Sequence, residues 1–365
     1  MRTTRYIGIL VCALLISSFS FNAKAQINSL YFMYGPNSDA RILIQEYLQP
    51  YTDIIGSNMS GSWYNTAKPH ELGGVDISAM FSFAFAPTDV LQYDLSTVLG
   101  LSEPFPDPTY APTAVGYLTD RPEIVNTIGV VNSSGETETY ELAKYIHPDG
   151  MGRDFVPLPM AQLSVGLVAG TDLTVRYMPA LDIGFGSEMA MWGVGGRHSI
   201  SQWIPIIKKL KFIDIALHGG YSKVTSSVHQ AIDPIATINP FPDFDWDDQF
   251  LVMSVSGWTV NLIASQTLPI VTLYEGIGYA SSMAEVAMLG HYPVNDVVSS
   301  PLSPDFGSTT YTIEENPIEE LALEGYSGLR INAGIRFKMG VFTVHYDFTK
   351  TMYVSHTAGV GFTFR

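Results

Sequence analysis

The sequence predicts an all-β protein, a transmembrane antiparallel up-and-down β-barrel of about 10–12 strands (with 14 as an upper reading), preceded by an N-terminal helical plug segment. Three observations predict it. Apolar and polar residues alternate through most of the chain beyond residue 73, with the period of two that strand side chains have. Charged residues are 15% of the chain, where a soluble domain carries about a quarter. Long connections between the alternating runs fall almost entirely on one side of the strand count, as outer-membrane barrels require.

The alternation is clearest in residues 328–365. Leu329, Ile331, Ala333, Ile335, Phe337 and Met339 share one parity, and Arg330, Asn332, Arg336 and Lys338 the other. After a turn at Met339-Gly340, Phe342, Val344, Tyr346 and Phe348 oppose Thr343, His345, Asp347 and Thr349. A third run sets Val354, Ala358, Val360, Phe362 and Phe364 against Ser355, Thr357 and Thr363. In a soluble sandwich the polar face would carry many Lys and Glu residues; here it is sparse, mixed in sign and rich in Gly and Thr. That combination suits a lumen, with the apolar face turned to lipid.

From the start, Arg2 and Arg5, the apolar run 6–21 and Ala23-Lys24-Ala25 compose a secretory signal peptide, residues 1–25. The single cysteine, Cys12, lies inside it. Removing the leader takes away Arg2, Arg5 and Lys24 and no acid, leaving 16 basic residues against 35 acidic ones. Such an acidic chain is a poor partner for nucleic acid. Residues 26–72 form a second unit. Ile44, Leu48, Tyr51 and Ile55 recur at helical spacing, with Asn37 or Ser38 as N-cap, Pro50 expected to bend the helix and Gly56 to end it. This helix either packs on the rest of the protein or plugs the barrel mouth from the periplasm. The stretch 61–70, with Trp63, Tyr64, Asn65, Lys68 and His70, is long enough to line the lumen before the first strand.

The barrel itself is expected over 73–365. Its first strand is 74–85, with Phe81, Phe83 and Phe85 on the apolar face and Asp76, Ser78 and Ser82 opposite. Residues 87–159 then lack sustained alternation, although 113–118 and 123–131 could form an extra hairpin. Strands resume at 161–169 and 172–177, with a fourth near 183–197 in ambiguous register. An amphipathic piece at 199–211 precedes strands at 212–222, 250–264 and 270–283. The second of these slips register at Gly257, which suggests a bulge. The outer connections 87–159, 225–249 and 291–324 are long, and the last two are acidic.

Inward parity collects Asp76, Asp172, Arg176, Asp214, His218, Arg330, Arg336, Lys338, His345 and Asp347. These read either as ion pairs filling the lumen or as a polar constriction that sets permeability or holds a head group. His345 and Asp347 share a face, which leaves a lipase-like triad as a third reading. Asp243, Asp245, Asp247 and Asp248 are a weak Ca²⁺ candidate without the glycine and terminal glutamate of an EF-hand loop; otherwise such loops are solvated or bridged to surface lipid by divalent ions. The scattered histidines show no paired zinc spacing, Gly193-x-Gly195-Gly196 precedes no helix that would make a nucleotide site, and no cofactor is expected.

Several stretches resemble a known family: Tyr47-Leu48-Gln49-Pro50, the run from Gly61 to His70, Pro157-Leu158-Pro159-Met160-Ala161-Gln162, Gly170-Thr171-Asp172, Arg176-Tyr177-Met178-Pro179, Gly195-Gly196-Arg197-His198 and Gln202-Trp203-Ile204-Pro205. Together they resemble an uncharacterised family of Gram-negative outer-membrane proteins, a domain of unknown function. The helix before the first strand is also loosely similar to FadL-type transporters of hydrophobic compounds, where such a segment is a hatch.

The expected function is therefore an outer-membrane channel or transporter for a small hydrophobic or amphipathic molecule, located in the Gram-negative outer membrane after leader cleavage. The alternative is a non-transporting scaffold or surface-binding component of a larger assembly. A lipid hydrolase is the third reading. Expected partners are outer-membrane lipid and the barrel assembly machinery, which reads aromatic C-terminal endings such as Phe362 and Phe364.

Overall fold

Ten strands close on themselves in a single antiparallel barrel. The computed structural model describes residues 29–364, apart from 185–186, 211 and 230; the expected leader lies outside the described residues. The barrel strands are β1 (Val75–Phe85), β2 (Phe155–Gly166), β3 (Thr171–Gly184), β4 (Ser187–Ser199), β5 (Ile213–His229), β6 (Phe250–Thr267), β7 (Val271–Leu289), β8 (Ser327–Met339), β9 (Phe342–Lys350) and β10 (Val354–Phe364). Each pairs with its sequence neighbours, and β1 closes the wall on β10, with Val75 opposite Phe364 and Phe85 opposite Val354. Closure leaves no unpaired edge, which a wall in lipid demands.

The outward positions are apolar and exposed, among them Ile77, Val175, Trp192, Val260, Ile277 and Phe362, a lipid-facing belt. The inward positions change in character along the barrel axis. Near the short-turn end they are Asp76, Ser164, Asp172, Arg197, Ser265, Thr343 and Thr363; near the long-loop end they are Met160, Met178, Met191, Val224, Met253 and Val286. β6 shows why Gly257 looks like a register slip: its pairing with β5 and β7 is continuous. Leu251, Met253 and Val255 point inward in the apolar half, and Thr259, Asn261 and Ser265 point inward in the polar half. The lumen changes chemistry at Gly257; the strand does not bulge. Among the described residues, the ladder of β3 with β4 is the irregular one in the barrel, shifting between Met178 and Leu181 and again between Asp182 and Gly184. The first shift spans Pro179, which has no N–H to donate.

Helix α1 (Asn37–Ser60) fills the apolar half of the lumen. It contains Pro50 and continues past Gly56 to Ser60, so Gly56 does not end it as expected. Gly56 is instead a point of close approach to the wall, because a Cβ there would lie 2.8 Å from the Ser282 hydroxyl. The N-cap position of α1 is Pro36, which makes no side-chain cap hydrogen bond, in place of the expected Asn37 or Ser38. The helix starts at the long-loop end: Arg41 donates to the Glu320 carbonyl at 3.0 Å, and the Asp39 carboxylate accepts from the Ser102 backbone and hydroxyl. The N-terminal end of the plug thus lies at the long-loop end of the lumen and its C-terminal end points towards the short turns.

The long connections are structured. Residues 123–131 form a hairpin as expected, but with Thr137–Ile146 and not with 113–118, and the hairpin stays outside the barrel sheet. His291–Val297 pairs with Thr309–Glu315, and Ile318–Leu323 adds to the outer part of β7 above β8. These pieces pack on Phe32, Met33 and Tyr34 and form a cap over α1. The 199–211 piece is a turn at Ser201–Trp203 followed by the short helix Pro205–Lys209.

Candidate functional site

The site is the lumen at and below the end of α1, where the wall meets residues 59–70. A helix C-terminus leaves carbonyls without partners and carries partial negative charge. Two wall arginines meet it. Arg176 donates to the carbonyls of Met59 and Gly61 at 3.2 and 2.8 Å and to Gln162 at 2.9 Å, with its guanidinium 3.8 Å from the centre of the Trp63 ring. Arg330 donates to the Ser60 carbonyl at 2.9 Å, and to the Tyr64 hydroxyl, Asn261 and Asn332 at 2.9, 2.8 and 3.0 Å. Both guanidinium groups are fully buried. Neither forms a salt bridge among the described residues, so helix carbonyls and neutral oxygens carry the compensation.

Below that junction the linker descends as irregular chain. Ser62 takes a positive φ of 51°, a conformation uncommon outside glycine. The Trp63 ring lies in a recess made by two wall glycines, since a Cβ at Gly195 or Gly220 would come within 2.9 Å of it. Tyr64 donates to Asn332 at 2.7 Å, and Asn332 donates to Asp347 at 2.9 Å. The Ala67 amide donates to the Ser265 hydroxyl at 2.9 Å, which also lies 3.4 Å from the Thr66 hydroxyl. His70 meets Asp172 through its amide at 2.9 Å and its ring at 3.1 Å, and Arg197 bridges Asp172 to the Thr66 carbonyl. A cavity lined by Trp63, Asn65, His70, Asp76 and Arg197, among others, measures about 10 Å³, room for about one water.

Of the lumen candidates, Asp76, Asp172, Arg176, His218, Arg330, Arg336, His345 and Asp347 are all buried. Arg336 lies 3.6 Å from Asp76 and donates to Thr363 at 2.7 Å. Asp214 is half-buried and Lys338 exposed, both near the inner rim. Ile44, Leu48 and Tyr51 are buried on α1, and Trp63, Tyr64 and Asn65 in the linker, whereas Lys68 is exposed. His345 hydrogen-bonds to no hydroxyl among the described residues, and Asp347 accepts from Asn332 and Thr349.

Asp243, Asp245, Asp247 and Asp248 do not converge; no metal-competent cluster occurs among the described residues. Asp245 accepts from the Asp247 amide, and Asp248 holds His291 at 2.5 Å. Trp246 between them is buried, its ring against Phe244 and Tyr311.

Arg197, Asn261, Asn332 and the glycines at 195 and 220 were not among the sequence-derived site residues. Arg197 is hidden by the glycines around it, which blur the parity of β4. Asn261 falls beyond the apparent slip at Gly257.

The model of a family of unknown function, DUF6588, matches residues 1–364. Nothing among curated proteins matches the chain. Among solved structures, the translocator domain of the autotransporter NalP from Neisseria meningitidis is 8% identical, covering 81% of this chain and 89% of that one with a TM-score of 0.30. Ail, the attachment invasion locus protein of Yersinia pestis, is 10% identical over 80% and 99% of the two chains, TM-score 0.27. The toluene transporter TbuX of Ralstonia pickettii is 5% identical over 81% and 90%, TM-score 0.23. With an outer-membrane β-barrel fold and a family match along almost its whole length, the chain belongs to the DUF6588 family.

Proposed function

We propose that this protein is a closed, non-conducting outer-membrane barrel that holds an ordered, acidic cap at the cell surface as a binding surface. The observation that carries this reading is a lumen filled over its whole depth, by α1 in the apolar half and by residues 61–74 in the polar half. Eight strands leave an interior that side chains fill, and sixteen to eighteen leave an aqueous channel; ten strands around a helix leave no path. Withdrawing the plug would strip Arg176 and Arg330 of their carbonyl partners in a buried setting, which costs several kcal/mol.

A second reading, gated passage of a hydrophobic or amphipathic molecule, is favoured by the methionine-rich outer lumen, since methionine surfaces adapt to varied apolar partners. A disulfide between linker and wall separates the two. In Thr66→Cys/Ser265→Cys, built where the two hydroxyls are 3.4 Å apart, the protein in planar bilayers and in liposomes loaded with a fluorescent hydrophobic probe is expected to be silent both oxidised and reduced. Conductance or uptake by the reduced form that oxidation abolishes would overturn the closed-barrel reading in favour of gated passage.

A further inference from the structure

We infer that the barrel carries its own N-terminal segment outward through the lumen and displays it on the cell surface, fixed in the cap. The path of the chain carries this. Phe32, just before α1, packs edge-on against Tyr47 and His147 at 5.7 and 5.1 Å. The Tyr34 hydroxyl donates to the Asp233 carbonyl at 3.1 Å, and Asn295 donates to the Tyr34 carbonyl at 3.0 Å. His147, Asp233 and Asn295 all belong to long connections. At the other end, Gly73 and Gly74 exchange backbone hydrogen bonds of 2.9 Å with Gly166, beside the short turn between β2 and β3. β1 begins there, with Val75 opposite Val165 and Phe364. Between these two ends the chain makes one pass and does not return.

The pass is long enough to cross a bilayer. The 24 residues of α1 rise about 36 Å at 1.5 Å each, already more than the roughly 30 Å of hydrocarbon, and 61–74 adds an extended stretch below. Outer-membrane barrels keep short turns in the periplasm and long loops outside. By that rule the end at residues 29–36 is extracellular while β1 starts in the periplasm. The wall must therefore close, at the β1–β10 seam, around a segment already in place. This inference rests on the path of the chain and not on whether the lumen conducts.

The test uses the full-length protein in its native outer membrane. Ser29→Cys puts a cysteine at the start of the Ser29–Tyr34 turn, at the outer end; Val341→Cys puts one on the exposed inner turn after β8. The chain's one other cysteine is Cys12, so the unsubstituted chain is the control. A membrane-impermeant maleimide is expected to label Ser29→Cys fully on intact cells and Val341→Cys only after permeabilisation. An epitope inserted after Asn28 should likewise be bound by antibody, and removed by added protease, on intact cells. Labelling of both N-terminal variants only after permeabilisation overturns the inference, and so does labelling of Val341→Cys on intact cells. Conductance measurements bear on neither outcome.

Discussion

The two halves of the lumen hold the same plug by different physics. In the outer half α1 is packed by Met160, Met178, Met191 and Met253, flexible side chains without directional demands. In the inner half the linker is held by hydrogen bonds with fixed partners: Arg176 on the helix carbonyls, Asn332 between Tyr64 and Asp347, and Asp172 on His70. The outer half specifies volume and the inner half specifies position. Burial of polar groups costs little only while each keeps its partner, so the inner half should tolerate change far less.

The largest test of that contrast is Arg330→Met, which keeps the volume and removes the donors to Ser60, Tyr64, Asn261 and Asn332. It should cost about 3 kcal/mol or more, read as a fall in the urea midpoint of the micelle-embedded barrel and release of the linker to protease. An equally stable variant would place the anchoring elsewhere.

The cap supplies the next test. Burial, chiefly, pushes the His147 imidazole down to about 3, with the Arg121 guanidinium adding to the effect, against a hydrogen bond from the ring to the Pro148 carbonyl. The folded cap holds the ring neutral while the unfolded chain protonates near 6.5. The resulting stability is therefore complete above that pH and is lost as pH falls from about 6.5 towards 3, by roughly 2 kcal/mol at pH 5. Protease resistance of the cap between pH 7 and 5 should fall in the parent and stay level in His147→Phe. If the two profiles coincide, His147 is not the titrating group.

Packing contrasts follow. Gly195→Ala places a methyl 2.9 Å from Trp63 and should cost about 1–2 kcal/mol, with a change in tryptophan emission as the ring is displaced. Met191→Leu in the outer half should cost less than about 1 kcal/mol in the same urea titration. A larger loss there than at Gly195 would reverse the ranking of the two halves.

Much of the architecture was legible because lipid enforces alternation on the outer face whatever lies within. β8 to β10 were readable almost residue by residue. What alternation could not show was the direction of the plug, since helical spacing is the same read from either end. Gly56 looked like a stop because its approach to Ser282 depends on a wall strand more than two hundred residues away. Gly257 looked like a bulge because an apolar inward face and an apolar outward face are indistinguishable by hydropathy alone. Arg176 and Arg330 stood out by parity, but their partners are backbone carbonyls, amide side chains and a hydroxyl, which leave no mark in charge or spacing. The pairs Asp76–Arg336 and Asp172–Arg197 are the part that charge could signal.

The unequal strands have a consequence for how the cap meets its surroundings. β5, β6 and β7 are 17, 18 and 19 residues long, against 9 for β9 and 11 for β1 and β10. A tilted strand crosses the hydrocarbon in about 9–11 residues, so on one side the wall continues for about eight more, roughly 20 Å of height at strand rise and tilt. The rim is oblique, a tall screen on one flank and a low sill on the other. With the cap outward, as proposed, its open approach is from the sill side, where β9 and β10 turn near membrane level.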